Sequence, residues 1–271
     1  SEMCIETGLE ATSDDPYGDY IFKGFLSDTI WAIDAHVFTY AGKNYITCAR
    51  ILNGNVIAIA ELENPWTIDH KRVSVISSAV LDFETQDGKI NEGPYTFEHD
   101  GRLFLVYSAN NVTSPYYCLG LLEFTGTDIL AKPSWTKVET PMLTAGNNVY
   151  APGHCSVFLS PDGTEYWLAY HARTTEKGNR YLHVQKFDFD ESGMPVFGKP
   201  VSQYESMFGH PENKRDPPQK TCLAYAARAF LVRAALSAKK KDQISVQQKI
   251  NIHTGGCLLY TSPSPRDLST S

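Results

Sequence analysis

Three polar residues recur at nearly equal intervals along the chain, and their types suit general acid–base catalysis. Glu92 follows Asp34 by 58 positions, and His154 follows Glu92 by 62. Each lies beside Gly or Ala where a strand-like segment begins. Two converging carboxylates are the minimum equipment for hydrolysing a glycosidic bond, because one of them must protonate the leaving oxygen. A like charge nearby raises the pKa of such an acid, so Glu92 opposite Asp34 is the candidate acid.

The segments around these residues resemble one another. Each contains a short strand, a glycine turn and an aromatic-rich strand, and each is followed by a further strand pattern. Repeats built from short antiparallel strands predict propeller blades, although common propeller repeats run about 40–50 residues. The extra residues are assigned to two long loops, residues 63–88 and 125–148. The three segments read WAIDAHVFTYAGKNYITCAR from Trp31, INEGPYTFEHDGRLFLVYSAN from Ile90 and APGHCSVFLSPDGTEYWLAYHAR from Ala151.

The pattern of residues 1–210 predicts an all-β fold. Apolar residues alternate with polar ones, turn dipeptides recur at short intervals, and no helical periodicity competes. In a propeller the innermost strand of each blade lines the central channel, so equivalent positions in successive blades converge on one mouth. The alternative for each carboxylate is that it binds backbone amides in a turn. The repeat phase that Asp34 and Glu92 share favours a functional site.

Composition narrows the classes of partner. The net charge of the 271 residues is −7, with −13 in residues 1–210 and +6 in residues 211–271. An acidic body argues against a nucleic acid or an anionic membrane as partner, and it is compatible with a neutral ligand such as a sugar. No run approaches the roughly 20 apolar residues that span a bilayer. The six cysteines include no CxxC pair, so a zinc ribbon is not expected.

Six motifs in the same order resemble glycoside hydrolase family 43, and most closely its α-L-arabinofuranosidase-type branch. They are WAIDAHVF, NEGPY, YYCLGLLEF, PGHCSVFLSPDG, YWLAYHAR and MPVFGKPV. The resemblance covers roughly residues 1–205. It implies a five-bladed β-propeller, of which about three blades are present here. It also implies an inverting enzyme with three central carboxylates that cleaves arabinofuranosyl linkages in pentose-containing, plant-type polysaccharides.

The resemblance also implies roles for individual residues. Glu92 matches the general acid, and Asp34 matches the aspartate that tunes the acid's pKa and orients the substrate. His154 matches a central histidine that lies beside a channel metal, often calcium, in several members; no cofactor is expected to be required. Arg180 lies where the family places an arginine that reaches the sugar, with a surface arginine as the alternative. Trp31 is a candidate for stacking on a sugar face, with a buried aromatic as the alternative.

One family feature is not found where the resemblance places it. In the complete propeller of the family, the general base is an aspartate in the initial blade. It normally lies roughly a hundred residues or more before the position of Asp34, but only 33 residues precede Asp34 here. We therefore expect the chain to be truncated at its N-terminus and to have little activity by itself. Since polymer-degrading glycosidases are usually secreted, we expect an extracellular protein.

The chain changes character after residue 210. Residues 1–210 are predicted to form the partial catalytic propeller, and residues 211–271 a separate tail. The tail has few aromatic residues, includes a stretch of high helix propensity, and ends in CLLYTSPSPRD, which resembles a translated sequencing adaptor. We interpret the tail as non-native sequence, with a disordered tail rich in Ser and Pro as the alternative.

Three other functions fit part of the pattern. A β-xylosidase would use the same carboxylates, because pocket details decide between pentoses. A non-catalytic carbohydrate-binding propeller would use the same aromatic and acidic side chains for binding alone. A protein-interaction propeller fits less well, since such a surface has no need of polar residues in the channel.

Overall fold

The computed structural model of the chain describes residues 7–13, 18–26 and 32–202, with two short strands at residues 252–253 and 256–257. This part of the chain contains seventeen strands and three one-turn 3₁₀ helices. The predicted all-β class is confirmed. None of the helices among the described residues has the length and hydropathy that a bilayer-spanning segment needs.

Three successive antiparallel sheets follow one another along the chain, and we call them the first, second and third blades. The first contains β3 (Ala32–Tyr40), β4 (Lys43–Leu52), β5 (Gly54–Asn64), β6 (Thr67–Ile68) and β7 (Ser74–Ser78). The second contains β8 (Asn91–His99), β9 (Arg102–Ala109), β10 (Cys118–Phe124) and β11 (Trp135–Lys137), and the third β12 (Tyr150–Leu159), β13 (Tyr166–Arg173), β14 (Arg180–Phe189) and β15 (Pro195–Val196). The hairpin β1 (Thr7–Ala11) and β2 (Tyr20–Phe25) precedes them, and β16 (Ile252–His253) pairs with β17 (Gly256–Cys257).

The two segments predicted as long loops contain the outermost strands of two blades. Strands β6 and β7 lie within residues 63–88, and both pair with β5. Strand β11 lies within residues 125–148 and pairs with β10. The loop prediction was wrong here because these strands have only two, five and three residues. Such short pieces do not show an alternating pattern that a sequence window can detect.

Strand β9 explains how the blades pack together. Leu105 and Tyr107 belong to the apolar cluster shared with the first blade, whereas Phe104 and Val106 belong to the cluster shared with the third blade. All four side chains are fully buried. Successive side chains of a strand point to opposite faces, so a strand buried on both faces reads as a continuous apolar run. The segment LFLVY is such a run, and it places the second blade between the other two.

The innermost strands β3, β8 and β12 lie side by side, with β8 in contact with both of the others. Each pairs with the next strand of its own blade, through two-residue turns in the first and second blades and a longer loop in the third. In β8 and β9 the turn is Asp100-Gly101, and both residues have positive φ, 48° and 75°. This is the conformation that a two-residue hairpin requires, so the predicted Asp-Gly turn is confirmed.

A buried glutamate organises the connection between the first two blades. Glu84 ends the 3₁₀ helix Asp82–Glu84 and is fully buried. Its Oε2 accepts hydrogen bonds from the backbone N–H groups of Val80 and Leu81, at 2.8 and 2.9 Å. These bonds hold the segment before β8 in a compact turn, and the glutamate itself is directed into the protein.

The second oxygen of Glu84 binds three side chains from three strands. Glu84 Oε1 accepts hydrogen bonds from Asn91 Nδ2 at 3.0 Å, from the Tyr107 hydroxyl at 2.8 Å and from Lys137 Nζ at 2.7 Å. Burial by itself raises the pKa of Glu84, but the Lys137 ammonium and the backbone donors outweigh it, so the pKa lies below the ordinary value. Asn91 is the residue before Glu92, so this ion pair anchors the strand that carries the candidate acid.

Candidate active site

The three candidate residues lie at irregularities of the innermost strands. The pairing register shifts on β3 beside Asp34, on β8 beside Glu92 and on β12 on both sides of Gly153. Asp34 and His154 have φ of 60° and 50°, values that few residues other than glycine adopt. Bulges of this kind bend a strand and redirect its side chains, and strained residues concentrate at functional sites. The structure thus brings Asp34, Glu92 and His154 together, as the repeat phase predicted.

Glu92 is partly buried and has a hydrogen-bond donor on each carboxyl oxygen. The Tyr117 hydroxyl donates to Oε1 at 2.9 Å, and Asn55 Nδ2 donates to Oε2 at 3.4 Å. Burial raises the pKa of Glu92, and the negative charge of Asp34 raises it further. The charge of His154 and the two hydrogen bonds oppose this, but the pKa stays above its ordinary value. A glutamate with a raised pKa retains a proton that it can donate near neutral pH.

Asp34 contacts both of its neighbours in the site. Its Oδ2 accepts a hydrogen bond from the backbone N–H of Gly93 at 3.1 Å, and its Oδ1 lies 3.9 Å from His154 Nε2. The first contact is the backbone-binding role considered for each carboxylate. It also holds the residue that follows Glu92, so the same contact keeps the charge of Asp34 close to the acid.

Asp34→Asn should lower the pKa of Glu92. The amide keeps the size of the side chain but removes the negative charge that disfavours ionisation of Glu92. Titration of the Glu92 carboxyl carbon by NMR in specifically labelled protein measures the change. The matched control is Asp100→Asn, which makes the same replacement at an exposed, positive-φ turn position. A Glu92 titration unaltered by Asp34→Asn would show that the two carboxylates do not interact.

His154 is held by its backbone and by a glycine that faces its ring. The backbone N–H of His154 donates to Ser108 Oγ at 2.7 Å. A Cβ atom at Gly93 would lie 3.1 Å from His154 Cγ, and Gly93 also has a φ of 57°. Glycine at position 93 therefore lets the imidazole approach β8 next to Glu92.

The structure says less about the remaining residues predicted to bind substrate. Arg180 is exposed at the first position of β14, where it pairs across the hairpin with Arg173. Its charge is near enough to His171 to contribute to the lowered pKa of that residue, whose first cause is burial. Trp31 lies outside the described residues. The sugar-binding roles of Arg180 and Trp31 stay predictions.

Other polar residues near the repeat motifs have packing contacts. His36 Nε2 forms a hydrogen bond of 2.9 Å with Thr96 Oγ1. The ring of His171 stacks on that of Tyr117, with centroids 5.6 Å apart. Cys155 is buried, and burial raises the pKa of its thiol, which disfavours the nucleophilic thiolate. The thiol beside His154 is therefore a poor nucleophile.

The described residues do not by themselves form the metal site predicted at His154. Calcium prefers six to eight oxygen ligands. Among the described residues no group of three or more His, Cys, Asp and Glu side chains gathers closely enough to hold an ion. Asp34 supplies one carboxylate near His154, and the calcium ion stays a prediction.

Sequence reasoning missed several residues that contact the site. Tyr117 belongs to the motif YYCLGLLEF, and Ser108 belongs to the aromatic-rich strand of the second repeat, which precedes that motif. Asn55 follows the turn glycine Gly54 in the first blade and has no motif around it. Their partners are 25, 46 and 37 residues away in sequence. The one available signal was polarity at buried strand positions, because a buried polar group must find a partner.

A partly buried glutamic acid with a raised pKa, next to a second carboxylate where the inner strands of a propeller meet, is an arrangement suited to glycoside hydrolysis. The chain belongs to glycosyl hydrolases family 43, whose family model matches residues 7–195. The family predicted from the motifs is thereby confirmed.

Two relatives show what share of a related protein's length this chain covers. The chain is 34% identical over 212 residues to the extracellular exo-α-(1→5)-L-arabinofuranosidase of Streptomyces avermitilis, a match covering 72% of this chain and 44% of that protein. It is 36% identical over 198 residues to α-L-arabinofuranosidase 43 of Humicola insolens, covering 66% and 40%. The chain thus spans less than half the length of these two relatives.

Solved structures confirm the partial propeller. An α-L-arabinofuranosidase from Lactobacillus brevis superposes with a TM-score of 0.66 at 34% identity, covering 71% of this chain and 65% of that one. A thermostable family-43 glycoside hydrolase superposes with a TM-score of 0.63 at 27% identity, covering 75% and 68%.

Proposed function

We propose that the protein to which this chain belongs is an inverting glycoside hydrolase that removes α-L-arabinofuranosyl groups from plant-type polysaccharides. One observation carries the proposal. The fold brings Glu92 and Asp34 together on the inner strands, where burial and the charge of Asp34 raise the pKa of Glu92. The names of the relatives from Streptomyces avermitilis and Humicola insolens support the choice of sugar. The first of these is named as extracellular, which supports action outside the cell.

In this mechanism Glu92 protonates the glycosidic oxygen as its bond to the sugar breaks. Asp34 keeps the acid protonated before the reaction and holds the backbone of Gly93 beside it. His154 and Arg180 contribute to the wall of the pocket. Inversion also requires a general base that activates water on the opposite face of the sugar. We assign that base to none of the described residues.

The test compares two aryl glycosides with the native full-length protein. We expect hydrolysis of 4-nitrophenyl α-L-arabinofuranoside with a higher kcat/KM than that of 4-nitrophenyl β-D-xyloside, because the relatives from Streptomyces avermitilis and Humicola insolens are named arabinofuranosidases. Proton NMR of the first product should show the anomer opposite to that of the substrate.

Other outcomes would change the assignment. A higher kcat/KM on the xyloside would replace the proposal with a β-xylosidase. If neither glycoside is hydrolysed while arabinose-containing oligosaccharides bind by calorimetry, the protein is a carbohydrate-binding propeller. Retention of configuration would contradict the inverting mechanism and require a nucleophile in place of the base.

A further inference from the structure

Two buried hydroxyl groups, those of Ser108 and Tyr117, form hydrogen bonds beside Glu92. The backbone N–H of His154 donates to Ser108 Oγ at 2.7 Å. The Tyr117 hydroxyl donates to Glu92 Oε1 at 2.9 Å. The side chains of Ser108 and Tyr117 are buried, with 0% and 1% of their surface exposed.

The direction of the bond between Tyr117 and Glu92 follows from the groups that form it. A protonated phenol has one proton to donate, and an ionised carboxylate can only accept. Burial raises the pKa of Tyr117 well above its ordinary value, which favours the protonated phenol. Tyr117 is therefore the donor to the ionised form of Glu92.

The ring of Tyr117 is fixed by packing on two sides. It stacks on His171 with an angle of 3° between the ring planes. It also lies against the backbone of β12, where a Cβ atom at Gly153 would clash with Tyr117 Cε1. Both ring nitrogens of His171 are buried without a hydrogen-bond partner among the described residues, and burial keeps that ring neutral. The stacking on His171 and the close approach to β12 therefore hold the ring where its hydroxyl reaches Glu92.

We propose that Tyr117 is a positioning residue for Glu92 that keeps Oε1 as a hydrogen-bond acceptor and so leaves the acid proton on Oε2. The inference rests on the proposed glycosidase function. Oε1 accepts from the Tyr117 hydroxyl at 2.9 Å, whereas among the described residues Oε2 has the longer contact of 3.4 Å with Asn55 Nδ2. Oε2 is accordingly the oxygen that delivers the proton to the substrate.

The same hydrogen bond strengthens during the reaction. As the bond between the sugar carbon and the leaving oxygen breaks, its electron pair goes to that oxygen, which takes the proton from Glu92 Oε2. Glu92 becomes a carboxylate and later recovers a proton from water. A hydrogen bond to a carboxylate is roughly twice as strong as one to a neutral acceptor, so Tyr117 binds the transition state better than the ground state. Its loss should lower kcat and leave KM nearly unchanged.

The first experiment needs no activity. Tyr117→Phe keeps the ring and its stacking but removes the donor from the ionised acid, so the pKa of Glu92 should rise, as measured by NMR titration of the labelled Glu92 carboxyl carbon. Tyr107→Phe is the matched control, because Tyr107 is equally buried but donates to Glu84. A Tyr117→Phe titration that coincides with that of the unmutated protein overturns the proposal.

The second experiment uses hydrolysis by the native full-length protein. Tyr117→Phe should lower kcat by about ten- to hundredfold, the equivalent of one hydrogen bond to a charged group. The alkaline limb of the pH–rate profile should move to higher pH, because the pKa of Glu92 rises. General damage to the site would lower kcat without this shift. An unchanged kcat, or a loss confined to KM, overturns the positioning role. If the unmutated protein hydrolyses neither aryl glycoside although the Glu92 titration shifts as expected, the proposed function fails and the hydrogen bond from Tyr117 to Glu92 stands.

Discussion

Replacing Glu92 with glutamine is expected to lower kcat of the native full-length protein by about a hundred- to ten-thousandfold, the usual effect of losing a general acid. Glutamine has no acidic proton, so the leaving oxygen must depart as an anion. The loss should be greatest for natural polysaccharides and smallest for aryl glycosides whose leaving groups are themselves acidic. Kinetics with a series of aryl leaving groups measure this difference.

Glu98→Gln is the matched control for that experiment. Glu98 is on the same strand, β8, but is exposed and six residues further along. The control should keep full activity, because the replaced charge lies in water. If Glu92→Gln were equally slow on every leaving group, Glu92 would not be the proton donor. An undiminished kcat would remove it from the mechanism altogether.

The largest expected effect on stability comes from Glu84→Ala. The substitution leaves the ammonium of Lys137, whose side chain is only 15% exposed, without the carboxylate that it contacts at 2.7 Å. Breaking one partner of a buried ion pair costs about 3–5 kcal/mol in free energy of unfolding. Urea denaturation at neutral pH measures the loss. Since Asn91 also loses one of its hydrogen-bond partners, the strand of Glu92 should become more mobile.

Two comparisons separate the unpaired charge from simple truncation. Adding Lys137→Met to Glu84→Ala should restore part of the lost free energy, because no unpaired ammonium then remains. Glu61→Ala removes the carboxylate from an exposed pair with Lys43 and should change stability far less. A double variant less stable than Glu84→Ala would contradict the proposed cause.

The contribution of Glu84 should also depend on pH. Its pKa in the folded protein lies below 4.5, so the ionised form is the one that the fold stabilises. The stabilisation is therefore complete well above pH 4.5 and is lost as the pH falls through the lower, folded pKa. The difference in unfolding free energy between the unmutated protein and Glu84→Gln should shrink over that acidic range. A difference that stays constant would mean that the carboxylate charge contributes nothing.

The predictions from the sequence differ in quality for a physical reason. The long inner strands were predicted because alternating residues and the Asp100-Gly101 turn leave local signals. The outer strands β6, β7 and β11 were missed because they are too short to show a period. Glu92 and Asp34 were found through their shared place in the repeat. The contact of Tyr117 with Glu92 was missed, because the sequence shows Tyr117 only as one aromatic residue of the motif YYCLGLLEF.

The sequence by itself determined the all-β class, the repeat, the pairing of Asp34 with Glu92 and the family. These follow from residue types and spacing, which are properties of a linear pattern. Only the tertiary structure decided which donors surround Glu92 and how Glu84 and Lys137 anchor its strand. Those contacts join residues 25 to 53 positions apart in the sequence. A pattern of alternation tells which face a side chain lies on, and the packing of neighbouring blades decides what it meets there.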